Sequence, residues 1–164
     1  MSNTEKPVFL LKKLFFDEIE KIKAESDGKI TGMVSGHAHL DRAFTVDEEN
    51  WAQSMALMEE KWKLVDAIRK ENAANPEGMK ARVRGVLDMM IDQGVTVFHT
   101  HADADLNTGL SVVKAFGELK EEYAGRLLLR WSAHPTQGLL NSDGSGHDSE
   151  KLRIFEEACA LSDG

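Results

Sequence analysis

The chain has 164 residues, with 20 Lys and Arg against 28 Asp and Glu, a formal net charge of −8. That length supports one domain with its own core, and the acidic balance excludes a general nucleic-acid or anionic-membrane surface, since both need clustered cations. The positive charges are interleaved with acids, as in "EEKWKLVDAIRKEN", the pattern of a solvated helix face. A single cysteine, Cys159, rules out an intramolecular disulfide, suits a reducing compartment and reads as a small apolar residue buried in the last helix. The N-terminal apolar run is interrupted by Lys12 and Lys13 and has no small-residue cleavage site. No later stretch reaches membrane-spanning length, so the expectation is a cytoplasmic protein that engages neither membrane nor nucleic acid.

In chain order, residues 8–25 place Leu11, Phe15, Ile19 and Ile22 on one helical face, and residues 1–28 read as an N-terminal helical extension. Asp27-Gly28 is a turn signal, and "KITGMVSGH" follows as a strand over 30–37. Trp51, Met55, Met58, Trp62, Val65 and Ile68 then recur at alternating spacings of four and three, which predicts one long amphipathic helix with this stripe in the core. Asn75-Pro76 opens another helix, asparagine as N-cap and proline in the first helical position. Val83, Val86, Leu87, Met90 and Ile91 supply its apolar face, and Gly94 is its natural stop. "VTVFHTH" is a β-branched strand over 95–101, Thr108 caps a helix running to about Tyr123 and Gly125, and "RLLLRWSAH" is a third strand over 126–134. The polar loop "PTQGLLNSDGSGHDS" leads to a last helix carrying Leu152, Ile154, Phe155 and Ala158. Strands separated by helices imply parallel strands, here in the order 1-2-3, and hence an α/β fold.

Side chains two apart on a strand share a face. His37 and His39 therefore project together above Ser35; His99, His101 and Asp103 share a face of the second strand. On the third, Arg130, Ser132 and His134 lie opposite Leu127, Leu129, Trp131 and Ala133. Polar groups thus collect at the C-terminal edge, where parallel α/β sheets build their sites. One His-X-His is a weak signal, but three consecutive strands ending in histidine, two of them in His-X-His, form a stronger one. Imidazole is the commonest ligand for zinc, iron and nickel, and the pair His37 and His39 is preferred over His99 and His101 as the metal-ligand candidate.

"GHAHLD" directly after a strand resembles the amidohydrolase superfamily, metal-dependent hydrolases built on a TIM barrel. The match runs best to cytosine-deaminase-like members, which share the His-X-His-Leu-Asp of 37–41, a helical insertion containing Asn50-Trp51, a Thr100-His101-Ala102-Asp103 strand end and a proline loop similar to "AHPTQGLL". The resemblance implies that residues 29–164 are about three βα units of a (β/α)8 barrel, stopping before a fourth strand. Such a barrel takes about 250 residues, so the chain is expected to be the N-terminal portion of a longer enzyme and catalytically incomplete alone. It also implies a divalent ion, zinc or iron, on His37 and His39, completed by later ligands. A metal-bound hydroxide would attack a cyclic amidine or amide of a nitrogen heterocycle, with a proton-shuttling carboxylate from beyond Gly164. His101, Asp103, His134, Thr136 and Gln137 become pocket candidates, and Asp41 braces the loop or accepts a hydrogen bond behind the ligands.

The chain departs from the family where Thr136 follows the third-strand proline. The family has a substrate-holding glutamine there, and Gln137 comes one residue later. It also begins with a helix in place of β-sandwich strands. Arg42 reads as a contact to an anionic substrate or as a surface ion pair, and His99 has no assigned role. TatD-like deoxyribonucleases also open with His-X-His-Leu-Asp but reach their second strand sooner, and adenosine-deaminase-like proteins carry glycine where Arg42 stands. A non-catalytic half-barrel, alone or as a homo-oligomer, would use His37, His39, His101 and Asp103 as one complete site.

Overall fold

"VTVFHTHAD" forms the longest strand of the computed structural model, which describes residues 32–163. The helix expected over 8–25, and with it the extension over 1–28, lies outside the described residues. The elements are β1 (Met33–Ser35), a 3-10 turn (Leu40–Arg42), α1 (Trp51–Ser54), α2 (Met58–Ala74), α3 (Pro76–Asp92), β2 (Val95–Asp103), α4 (Ser111–Glu122), β3 (Leu128–His134) and α5 (Ser149–Leu161). They make a three-stranded parallel sheet in the order β1-β2-β3, an α/β arrangement consistent with part of a TIM-barrel-like fold. β2 and β3 pair so that His99 faces Arg130, His101 faces Ser132 and Asp103 faces His134.

The strand alternation decides which side is core. Phe98, Thr100 and Ala102 of β2 and Leu129 and Trp131 of β3 are buried, while Val97, His99, His101 and Arg130 are more open. α3 and α4 pack on β2, and α4 and α5 on β3. They bring Met79, Val83, Leu87, Val112, Val113, Phe116, Leu119, Ile154 and Ala158 out of water, each large side chain worth roughly 1.5–3 kcal/mol. Asn75 caps α3 as the sequence predicts, its side chain accepting from the Gly78 amide at 3.0 Å, with Pro76 in the first turn. Gly94 ends that helix at φ 86°, a conformation other residues reach only with strain.

Five expectations are corrected. The single helix from Trp51 is two, because the Ser54 hydroxyl turns back on the Trp51 carbonyl and Leu57 is extended ahead of α2. The stripe is also not core: Trp51, Met55, Met58 and Trp62 are exposed, and of its six residues only Ile68 is buried. Within "EEKWKLVDAIRKEN", read as a solvated face, Arg69 and Asn72 are buried. Thr108 does not cap α4, whose N-cap position is Leu110. Asp105 claims that turn first, its Oδ1 accepting from the amides of Asn107 and Thr108 while the Thr108 hydroxyl donates to the Asp103 carbonyl. Cys159 is exposed, one helical step of about 100° past the buried Ala158. No helix among the described residues is long and apolar enough to cross a membrane.

Candidate metal centre

β1 is short, so His37 and His39 stand in the segment that follows it and not on the strand itself. β2 holds that segment in place. The His101 amide donates to the Ala38 carbonyl at 2.8 Å, as a strand partner would. Thr100, fully buried, accepts from the Leu40 amide at 3.0 Å and donates to the Ala38 carbonyl at 3.1 Å. The chain then closes into the 3-10 turn through bonds from the Arg42 amide to the His39 carbonyl and from the Ala43 amide to the Leu40 carbonyl, both 3.0 Å. Helices α2 and α3 clamp this turn from behind. Asn72 Nδ2 donates to the Asp41 carbonyl at 2.7 Å, and Arg82 donates to Asn72 Oδ1 at 2.6 Å and to the Ala43 carbonyl at 3.1 Å.

Histidines from all three strand ends meet at one edge. Ring centroids of His37 and His101 are 4.7 Å apart, His39 and His101 5.2 Å, His39 and His134 5.3 Å, and His99 and His101 5.3 Å. His101 Nε2 lies 3.2 Å from His37 Nδ1, and His99 Nε2 lies 2.8 Å from the Ser132 hydroxyl. Burial, with Arg42 and His134 nearby, lowers the His39 pKa to about 4. Burial and the neighbouring imidazoles lower that of His101 as well. Both rings are therefore neutral at pH 7 and carry a lone pair, as metal ligation requires. His39 Nδ1 is buried with no hydrogen-bond partner.

Asp103 is the anionic centre of the cluster and is fully buried. Arg42 Nη2 donates to its Oδ1 at 3.1 Å and to its Oδ2 at 2.7 Å, while His134 Nδ1 at 3.0 Å and the Thr136 hydroxyl at 2.5 Å both meet Oδ1. Burial pushes this carboxyl up, but the bonds from His134, Thr136 and Arg42 outweigh it and hold Asp103 well below the usual carboxylate range. Asp41 is its opposite. Neither Asp41 oxygen has a hydrogen-bond partner, and burial together with the Asp103 charge raises its pKa to about 7 against the pull of Arg42.

The structure therefore brings His37, His39, His101, Asp103, His134 and Thr136 together, with Asp41 behind them and Gln137 exposed outside the cluster. Among the described residues, His39, Asp103 and His134 each offer one ligand atom within 4.8 Å of the others, a group that suits a divalent cation. His37 and His101 are not in that group. Arg42 is an ion-pair partner of Asp103, and His99 a partner of Ser132. Sequence reasoning missed Asn72, Arg82 and the buried pair of Arg69 Nε with Asp105 Oδ2 at 2.9 Å, which ties α2 to the turn after β2. The available signal was the i, i+3 spacing of Arg69 and Asn72 beside the buried Ile68.

The fold and this edge define an α/β protein with a histidine- and aspartate-rich centre at the C-terminal ends of parallel strands. A crystal structure of 5-methylcytosine deaminase from Klebsiella pneumoniae, liganded with phosphonocytosine, is similar to it with a TM-score of 0.61 and 24% sequence identity. That likeness covers 79% of this chain and 29% of the deaminase chain, and it bears on the fold. An uncharacterized protein of Haemophilus influenzae is 30% identical over 110 residues, which are 66% of this chain and 39% of that protein. No family model matches the chain.

Proposed function

We propose that this chain provides the first three strand–helix units of a metal-dependent hydrolase that cleaves a carbon–nitrogen bond in a cyclic amidine or amide, of the cytosine-deaminase kind. The observation that carries the reading is the convergence of five histidines and one buried carboxylate at the strand ends of a fold similar to a deaminase. His37 and His39 would hold zinc or iron, which supplies Lewis acidity and an activated water when bound. The chain's own residues prepare the place. Thr100 and Asn72 fix the segment carrying the two histidines, and the bonds from His134, Thr136 and Arg42 together keep Asp103 anionic. Asp103 in turn orients His134 through Nδ1, so that Nε2 is the ring nitrogen left for a ligand or substrate. His101, neutral and half-buried, can exchange a proton with a ring nitrogen of the substrate, and Thr136 lines the same side.

The chain spans 39% of the Haemophilus relative and 29% of the deaminase, so the activity is proposed for a polypeptide that includes further strands. The test is ammonia release from cytosine, 5-methylcytosine and a panel of cyclic amidines and lactams by the product of the complete reading frame, loaded with zinc or iron. Turnover lost in both His37→Ala and His39→Ala is expected, with the 164-residue chain inactive. A metal-loaded full product that turns over none of the panel refutes the reading.

A further inference from the structure

We propose that the exposed stripe on α1 and the start of α2 is a self-association surface, on which two copies of this chain pair about a two-fold axis passing near Leu57. This goes beyond the hydrolase reading and does not rest on it, because no residue of the stripe belongs to the cluster at the strand ends.

The stripe is large for a surface that faces water. Leu57 is 85% exposed, and Trp51, Met55, Met58 and Trp62 are between 45% and 66% exposed. Side chains of this size cover about 150–250 Å² each, so the five leave roughly 600–700 Å² of mainly apolar surface in water. The largest apolar patch of an ordinary monomer is about 300–600 Å² and is often a binding surface. Buried on both copies, the stripe supplies about 1,200–1,400 Å², the size of a specific interface. Tryptophan and methionine are also residue types that interfaces favour over the rest of a protein surface.

The order of the residues selects a second copy as the occupant. A two-fold contact must be self-complementary, residue i meeting j while j meets i. The stripe runs Trp51, Met55, Met58, Trp62, with spacings of four, three and four, and so reads the same in either direction. The break between the helices falls at its midpoint: α1 ends at Ser54, α2 begins at Met58, and Leu57 is extended between them. An antiparallel pairing centred there sets Trp51 on Trp62 of the second copy and Met55 on its Met58, with the two Leu57 side chains at the axis. Charge fits the same register. The exposed Lys63 comes beside Glu49 of the second copy, while Glu59 and Glu60 meet its uncharged Ser54 and Gln53. Within one chain the two halves of the stripe are tied together, since Gln53 Nε2 donates to the Glu60 carbonyl at 3.0 Å.

The experiment is sedimentation equilibrium of the 164-residue chain across a concentration series, with circular dichroism to check that each variant folds. The parent chain should dimerise. Leu57→Glu and Trp62→Glu should each raise the dimer dissociation constant at least about thirtyfold, the loss expected at an interface hot spot. Leu161→Glu, an equally surface-placed change on α5, should shift it less than about threefold. Lys63→Glu should weaken the dimer, and adding Glu49→Lys should restore it. In a Cys159→Ser background, Leu57→Cys should cross-link to itself under mild oxidation, as a residue at a two-fold axis must. A parent chain that stays monomeric up to about 100 μM overturns the proposal, and if its Trp51 and Trp62 resist quenching by acrylamide, another part of the same polypeptide covers the stripe. A dimer indifferent to Leu57→Glu and Trp62→Glu overturns it as well, since association then uses another surface. Failure of the doubly exchanged Glu49 and Lys63 variant to recover overturns the antiparallel register.

Discussion

Replacing Thr100 by valine tests how the histidine segment is held. The two side chains have nearly the same shape, so the change removes a hydroxyl and leaves the packing in place. It deletes the bond from the Leu40 amide at 3.0 Å and the bond to the Ala38 carbonyl at 3.1 Å, in a region where Thr100 is 0% and Leu40 4% exposed. Ala38 keeps a second donor, the His101 amide at 2.8 Å, so its loss is small. The Leu40 amide keeps none and cannot reach water. Stranding one buried amide costs about 1–3 kcal/mol, and the extra buried methyl returns up to about 0.8 kcal/mol. The expected net loss is therefore about 1–2 kcal/mol, read as a lower urea midpoint with an unchanged slope. Thr100→Ser, which keeps both bonds, should lose less. A Thr100→Val variant within about 0.5 kcal/mol of the parent, with the Leu40 amide still slow to exchange its hydrogen, would show that something other than this hydroxyl holds the segment.

Asp41→Asn should flatten the pH dependence of stability. The Asp41 pKa is raised from 3.8 to about 7 in the fold, so between those values the native state holds a proton that the unfolded chain has lost. Stability then falls as pH rises through that window and levels off above it, by on the order of 1–4 kcal/mol. The asparagine variant should consequently exceed the parent at pH 8 and lose most of that advantage at pH 4, and an identical slope in both proteins would contradict the assignment. Asn75→Ala removes the cap on Gly78 and should cost about 1 kcal/mol, seen as a melting midpoint a few degrees lower, whereas Asn75→Asp should retain the parent value.

The sheet was legible because a period of two leaves little choice. Once β2 and β3 were read as strands, His99, His101 and Asp103 had to share one side, with Phe98, Thr100 and Ala102 on the other. The stripe from Trp51 to Ile68 misled because periodicity marks a face without saying what covers it. Arg69 looked solvated because a charge pattern along one helix does not reveal Asp105, which arrives from the far end of β2. The grouping of His39 with Asp103 and His134, in preference to His37, depends on the β2–β3 register and on the turn after β1, and neither is encoded in spacing. Asp41 is expected to brace the loop or to accept a hydrogen bond behind the ligands; in the structure its backbone carbonyl is held by Asn72 and its carboxylate oxygens are buried without a partner.

The two halves of the candidate metal centre are fastened to the protein with unequal strength. Asp103 and His134 end a ladder that runs unbroken from the pairing of Val97 with Leu128, with helices packed over it. His39 follows a three-residue strand and is held by the bonds of Ala38, Leu40 and Asp41 to Thr100, His101 and Asn72. A fluctuation that breaks only these contacts swings His39 away and costs far less than unfolding the sheet. Ligand exchange at this centre should accordingly follow a fast local clock, set by one hinged segment, and stay nearly indifferent to changes that alter only the global stability of the domain.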